Sequence, residues 1–472
     1  MADQSKENPQ CLIETPHDQF ALHETARIYH IPHPRAAPGT LDRVRVMIFR
    51  SRVHYAVAVA ICVVLSLLGA GLLRHHSNPS EHSLGASETY RPGSYAFRTW
   101  WQWTAMSRGD FLPIYTTAAG RREDPDFRMY HPEELKQHKA AFVYTPIAAL
   151  LIAPIVSPER SFEEVADIVS VVNHLLALAG ATMLFSLLMR GRPWGAGDVA
   201  LFLFHVVLFY PLAKALHLTQ AGVWMFFLLS SALWLFDRGQ RVGSGLALAL
   251  GCSIKPHLAL IPLVLALGGR FPPRTLVACA AGILFCGLAC LAYAGPANLV
   301  DYTRQLNHLS AGYAYAPNQS FNGLLLRMFT DQDPTVFNLA EPVTWIRVLS
   351  TGLGLTLLAF AVWATRRGAN SADPDRPLLC MGGVTAAVVV ASPVCWIHHL
   401  VLLAGPMVLG WRTLVQTTAT SSRALTIPLL VGGVLCSVYF DATGAHPLLS
   451  GLELYGALMV VGCLLTLAAR RR

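Results

Sequence analysis

Twelve apolar runs divide this sequence, and arginines crowd every second junction between them. Lipid can solvate such runs along their whole length, with about 20 apolar residues crossing a bilayer. Water cannot do so. Only 14% of the residues are charged, against 53% hydrophobic, whereas a soluble domain carries about 25% charged. The sequence therefore predicts an all-α polytopic membrane protein with the lipid bilayer as its first partner. The net charge of +8 sits in short loops between runs, where the positive-inside bias places it. That distribution argues against a nucleic-acid surface, and no nucleic-acid partner is expected. Of ten cysteines, Cys62, Cys252, Cys279, Cys286, Cys290, Cys380, Cys436 and Cys463 lie within apolar runs, with no C-x-x-C spacing. They read as small buried hydrophobes.

Arginines orient the runs. Residues 1–52 are polar and rich in His and Pro, which predicts a disordered cytoplasmic tail. The run 53–73 follows Arg43, Arg45, Arg50 and Arg52 and reads as an uncleaved anchor leading outward. An outer loop, about 74–141, carries Trp100, Trp101 and Trp103. The stretch 142–156 is short for a span and has prolines at both ends, which predicts a re-entrant or juxtamembrane helix. On that basis the runs 165–188, 220–236, 257–267, 343–365, 396–411 and 452–469 return inward to arginines. The runs 199–212, 243–254, 276–294, 378–391 and 425–440 lead outward, and a second outer loop covers about 295–341. About twelve spans follow, with both termini cytoplasmic, in a plasma (inner) membrane. No internal repeat is evident.

With this orientation Asp110, Gln220, Lys255, His257, Asn318, Gln319, Asn322, Arg327, His398 and His399 all fall at the extracytoplasmic ends. Ionisable groups beside membrane spans are costly and mark function, so their convergence predicts one site. Asp110 opens GDFLPIYTTAAG and reads either as a helix N-cap or as a general base toward a sugar hydroxyl. The three tryptophans read as an interfacial belt or as a stacking surface for a sugar ring. Lys255 lies between two apolar runs beside Pro256. It reads as a snorkelling side chain or as a point charge for a lipid-linked phosphate. In PNQSFNGLLLRM, Asn318, Gln319 and Asn322 offer amides to hydroxyls, and Arg327 offers a bidentate fork to phosphate. The bland alternative is a capped amphipathic helix. His398 and His399 are adjacent, so they diverge on a helix and do not suit a shared metal. No H-x-x-x-H or H-E-x-x-H occurs, and no metal or cofactor is expected.

Taken in order, GDFLPIY, FVYTPIAALLIAPI, the Gln220 segment, SIKPHLALIPL, NQSFNGLLLR and SPVCWIHH span about residues 105–410. As a set they resemble the GT-C superfamily of membrane glycosyltransferases, and within it glycosyltransferase family 87. That family includes polyprenol-phosphate-mannose-dependent α-1,2-mannosyltransferases. The resemblance implies a GT-C-like domain over 53–472. It also implies a polyprenyl-phosphate sugar donor, a glycan or glycolipid acceptor, and an acidic base in the first outer loop, here Asp110. Basic groups near the outer face would handle the donor phosphate, with Lys255, His398 and His399 as the candidates. Tyr144-Thr145-Pro146 departs from the usual Tyr-Pro-Pro pattern, and the N-terminal tail has no counterpart.

The expected reaction is one inverting displacement. Phosphate is a good leaving group, and positive groups stabilise its charge, which makes a divalent metal less necessary. Glu123, Asp124 and Asp126 are the rival carboxylates. Other readings of the chain are a flippase or transporter, which would place polar groups near the bilayer midplane in repeated halves; a lipid-linked arabinosyltransferase on the same scaffold; and a non-catalytic membrane subunit.

Overall fold

A computed structural model describes residues 109–130, 142–190, 202, 209–269, 271–337, 339–367, 375–416, 424–437 and 447–470. The predicted tail, the first apolar run, the three tryptophans, Cys62 and most of the run 199–212 lie outside the described residues. The described residues form helices and turns without a strand.

Helix α1 (Leu112–Glu123) begins with Pro113 in its first turn, where a missing N–H costs nothing. Helix α2 (Pro146–Ile152) has seven residues, about 10 Å of rise, too short to cross a hydrocarbon core of about 30 Å. Pro146 holds Thr145 extended (φ −69°, ψ 161°) and ends any helix approaching from before it. Helix α3 (Phe162–Met189) opens with a reciprocal cap. Ser161 Oγ accepts from Glu164 N at 3.2 Å, and the Glu164 carboxylate accepts from Ser161 N at 2.9 Å. Helices α4 (Tyr210–His217), α5 (Gly222–Asp237) and α6 (Arg241–Ile254) follow. Gly239 supplies the left-handed residue (φ 78°) that turns α5 back into α6.

Lys255 stands outside α6 in an extended conformation, and Pro256 opens a 3-10 turn (Pro256–Ala259) leading to α7 (Leu260–Leu267). Helix α8 (Pro273–Leu309) is two helices joined at Gly295, whose φ of 78° breaks the path. Sequence placed a loop from residue 295 onward. Instead, Pro296 restarts a helix that runs to Leu309, because Pro presets the φ of a first helical residue. Helix α9 (Phe321–Phe329) is capped by Ser320, whose Oγ accepts from Gly323 N at 3.0 Å. Helices α10 (Thr344–Arg367), α11 (Arg376–Ala391), a 3-10 segment (Ile397–Leu403), α12 (Ala404–Gln416), α13 (Thr426–Ser437) and α14 (Leu452–Ala469) complete the bundle.

Four described helices are long and apolar enough to cross a membrane: Phe162–Met189, Pro273–Leu309, Thr344–Arg367 and Leu449–Ala469. Their outer faces carry exposed Leu175 and Leu178, Leu284 and Phe285, and Val348 and Leu355. So large an apolar surface requires lipid against it, and this is a membrane protein. Within the bundle, small residues let backbones approach. A Cβ at Gly245 of α6 would lie 2.8 Å from Ala278 Cβ of α8, and one at Gly282 of α8 would lie 2.6 Å from Ala249 Cβ. The eight described cysteines are buried free thiols, five of them in α6, α8 and α11.

The two ends of the bundle differ. At one end Arg412 Nη1 meets Asp237 at 3.0 Å and its Nη2 meets Asp375 at 2.9 Å, while Arg190 meets Asp237 at 2.6 Å. This network joins the ends of α3, α5 and α12 to the approach to α11. Arg376 donates to the carbonyls of Ala468 and Arg470, which ties in the end of α14. Gln220 marks the other end of α5, a helix of 16 residues, about 24 Å away.

Candidate active site

Asp110 sits just before α1, but it does not cap that helix. Phe111 occupies the cap position without a side-chain bond. The Asp110 carboxylate reaches across the chain instead, and Oδ2 accepts a hydrogen bond from Gln220 Nε2 at 2.6 Å. The same amide nitrogen contacts His398 Nε2, also at 2.6 Å. Gln220 reaches both because α4 ends in a tight turn. Thr219 adopts a left-handed φ of 51° there, and Gln220 N donates back to Ala215 O at 3.0 Å. Gln220 and His398 are buried, while Asp110 keeps part of its surface accessible.

Lys255 approaches from the end of α6. Its side-chain nitrogen contacts His399 Nε2 and lies 5.4 Å from the centre of the Tyr144 ring. The Trp396 N–H donates to His399 Nδ1 at 3.2 Å. The two histidine rings are perpendicular, with centroids 4.6 Å apart. They diverge as expected for neighbours, one toward Gln220 and one toward Lys255. His257, one residue beyond Pro256, joins the electrostatic neighbourhood of Lys255 and His399 and stays partly exposed. Among the described residues no three His, Cys, Asp or Glu side chains converge as a metal site needs.

Burial sets the charge states. It raises the Asp110 carboxyl above its ordinary value; the Gln220 hydrogen bond, then Lys214 and Lys255, oppose that shift. Burial pushes the Lys255 ammonium down to about 7, although Asp110 pulls it upward. Lys214, on α4, was not singled out from sequence. Its signal was present: one lysine in an apolar stretch, six residues before Gln220.

The segment around α9 plays a different part. Asn318 Nδ2 donates to Tyr313 O at 2.9 Å, and its Oδ1 accepts from Cys395 N at 3.0 Å. Gln319 N donates to Cys395 O, and Ile397 N donates to Pro317 O. Gln319 Nε2 donates to Ala316 O and Ser450 O, and Leu454 N donates to its Oε1. Arg327 Nε donates to Ser450 Oγ at 2.7 Å, and Nη1 to Asn318 O at 3.0 Å. These side chains face main chain and splint the SPVCWIHH segment; among the described residues none of their hydrogen bonds goes to Asp110. Asn322 is buried against Gly312, its Oδ1 without a partner. Asp110, Gln220, Lys255, His257, His398 and His399 form the inner group. The rival carboxylates stand apart: Glu123 ends α1, 12 residues long and thus about 18 Å of helix. Asp124 accepts from Asp126 N in an exposed turn.

The sequence profile of glycosyltransferase family 87 matches residues 142–393, more than half of the chain. The chain belongs to glycosyltransferase family 87. It is therefore a membrane glycosyltransferase, and its reaction requires a sugar donor and an acceptor. The match takes in Gln220, Lys255, His257, Asn318, Gln319, Asn322 and Arg327 of this glycosyltransferase. Asp110, His398 and His399 lie outside the matched range. No curated protein and no solved structure matches the chain.

Proposed function

We propose that this family-87 enzyme transfers a hexose, with mannose the expected sugar, from a polyprenyl-phosphate donor to a glycan or glycolipid acceptor. The observation that carries the reading is the pairing of one half-buried carboxylate, Asp110, with a basic group, Lys255, at the same end of the bundle. Asp110 takes the proton from an acceptor hydroxyl. The freed oxygen bonds to the anomeric carbon as the bond from that carbon to the phosphate oxygen breaks. The electron pair leaves with the phosphate, and the sugar inverts. Lys255 answers the charge growing on the departing phosphate, with His257, His398 and His399 around it. Asn318, Gln319, Asn322 and Arg327 shape the wall that holds the histidine pair.

The same reading assigns residues 53–472 to a GT-C-like catalytic domain of about twelve spans and 1–52 to a cytoplasmic tail. The site then opens outside the plasma membrane. The arginine network joining Arg190, Asp237, Asp375 and Arg412 supports this orientation, because positive residues gather on the cytoplasmic side. The test uses membranes holding the full chain and a panel of radiolabelled polyprenyl-phosphate sugars. Asp110→Asn is expected to lower turnover by about 10²- to 10⁴-fold, the usual share of a general base, with the thermal unfolding of the purified protein unchanged. Turnover equal to the parent's overturns the assignment of the base.

A further inference from the structure

The Gln220 side chain has one amide nitrogen with two hydrogens, and the structure directs both at titratable groups. One points to Asp110 Oδ2 and the other to His398 Nε2, each at 2.6 Å. A reversed amide would aim its oxygen at the carboxylate, lone pair against negative charge. An ionised Asp110 therefore fixes which way the amide faces. Once it is fixed, His398 Nε2 receives an N–H and must present a lone pair. Its ring proton then sits on Nδ1 and the imidazole is neutral.

The geometry points to Gln220 as a positioning residue that holds Asp110 as the ionised base and His398 as the neutral Nδ1–H tautomer. This rests on the reading of Asp110 as base, and it changes the part His398 plays. A neutral ring with its lone pair engaged by Gln220 brings no positive charge to a phosphate. The positive charge for the donor phosphate is then left to Lys255. Gln220 itself is withdrawn from substrate binding through its nitrogen. Its Oε1 is buried without a partner and is the one end of the amide with capacity to spare.

The groups that face Asp110 come from several elements: Gln220 and Lys214 around the α4 turn, Lys255 at the end of α6, and Tyr144 before α2. The lysines favour the carboxylate through their charge, and neither forms a hydrogen bond to it. Among the described residues, Gln220 alone supplies both direction and a donor. Losing it frees the carboxylate to rotate and makes ionisation harder.

The test compares full-length parent, Gln220→Met and Gln220→Glu in membranes, measuring kcat, KM for the donor and the pH dependence of kcat/KM. Met keeps the length and removes both bonds. The expected result is a fall in kcat of about 10- to 100-fold, a fraction of what the base contributes. The acidic limb should move upward by about one pH unit, since a hydrogen bond to the ionised form is gone, with KM for the donor within a factor of about three. Glu sets a second carboxylate against Asp110 and should drive the limb higher still. A rise in KM alone, or lost activity with the acidic limb unmoved in both variants, overturns the inference. Asp110→Asn in the same assay separates the two claims. If that variant keeps the parent's rate, the base reading fails. If it is inactive while the Gln220 variants keep the parent's pH profile, only the role of Gln220 fails.

Discussion

At the scale of residues, the site is a meeting of groups far apart in the chain. Asp110 and Gln220 are 110 positions apart, and Gln220 and His398 are 178 apart. The sequence offered each as a candidate through its position beside an apolar run. The hydrogen bonds between them were not legible, because no local rule links an outer-loop aspartate to a turn between two later helices. Asn318, Gln319 and Arg327 show the opposite limit. Their chemistry suits hydroxyls and phosphate, and from sequence they read as ligand groups. Their bonds go to Tyr313, Cys395, Ala316 and Ser450, since buried main-chain groups must also be satisfied. Asn318→Ala should therefore cost about 1–3 kcal/mol by stranding the Cys395 N–H. A lowered Tm for the purified protein checks this.

The pH profile also belongs to this scale. As the proposed base, Asp110 would work only when ionised, and its pKa is raised. kcat/KM should climb as pH rises through that elevated value. Lys255 loses its charge as pH rises through about 7, so the same profile should fall again near neutrality. The proposed donor phosphate, once bound, would give the ammonium an anionic partner and shift its pKa upward. The basic limb of kcat should then lie at higher pH than that of kcat/KM. Lys255→Met should erase the basic limb in both profiles.

At the scale of elements, the long helices and the break at Lys255-Pro256 followed from apolar run length and proline placement. The shortness of α2 followed too, from prolines near both ends of its run. The helix after Gly295 did not follow, because a Gly-Pro pair reads as an ending. Here one side of the pair terminates a helix and the other starts the next. That second half repays attention at Asn298, Asp301 and Gln305, which lie along one buried face. Asn298 Oδ1 accepts from Met129 N at 2.7 Å, Asp301 accepts from Arg128 Nε at 2.8 Å, and Gln305 donates to Phe142 O. They brace the segments between α1 and α2. Helix α6 depends on close approach to α8. Gly245→Leu should force the two apart, at about 1–3 kcal/mol for overpacking, and displace Lys255 at the end of α6. Loss of monodisperse protein in detergent, with reduced transfer, is the expected outcome.

At the scale of the whole molecule, the bundle separates the end that holds the candidate site from an end tied by ion pairs. Arg412 sits buried between two aspartates from different elements. Arg412→Ala would leave Asp237 with the exposed Arg190 as its ion-pair partner among the described residues, and removal of one member of a buried pair costs about 3–5 kcal/mol. A Tm drop larger than that of Asn318→Ala checks this ranking. Orientation is testable with single cysteines at exposed positions. A cysteine at Thr335 should react with an impermeant reagent in intact cells. One at Arg367 should react only after the membrane is opened.

Helix α6 has 14 residues, about 21 Å of rise against a hydrocarbon core of about 30 Å. In the proposed orientation, a helix this short that starts at the cytoplasmic surface would leave Lys255 below the outer headgroups, inside the leaflet rather than above it. A lipid-linked donor and a glycolipid acceptor, as proposed, would then reach the lysine by sliding sideways in that leaflet. Their encounter rate follows their number per unit area of bilayer, so adding inert lipid should slow the reaction while adding buffer should not.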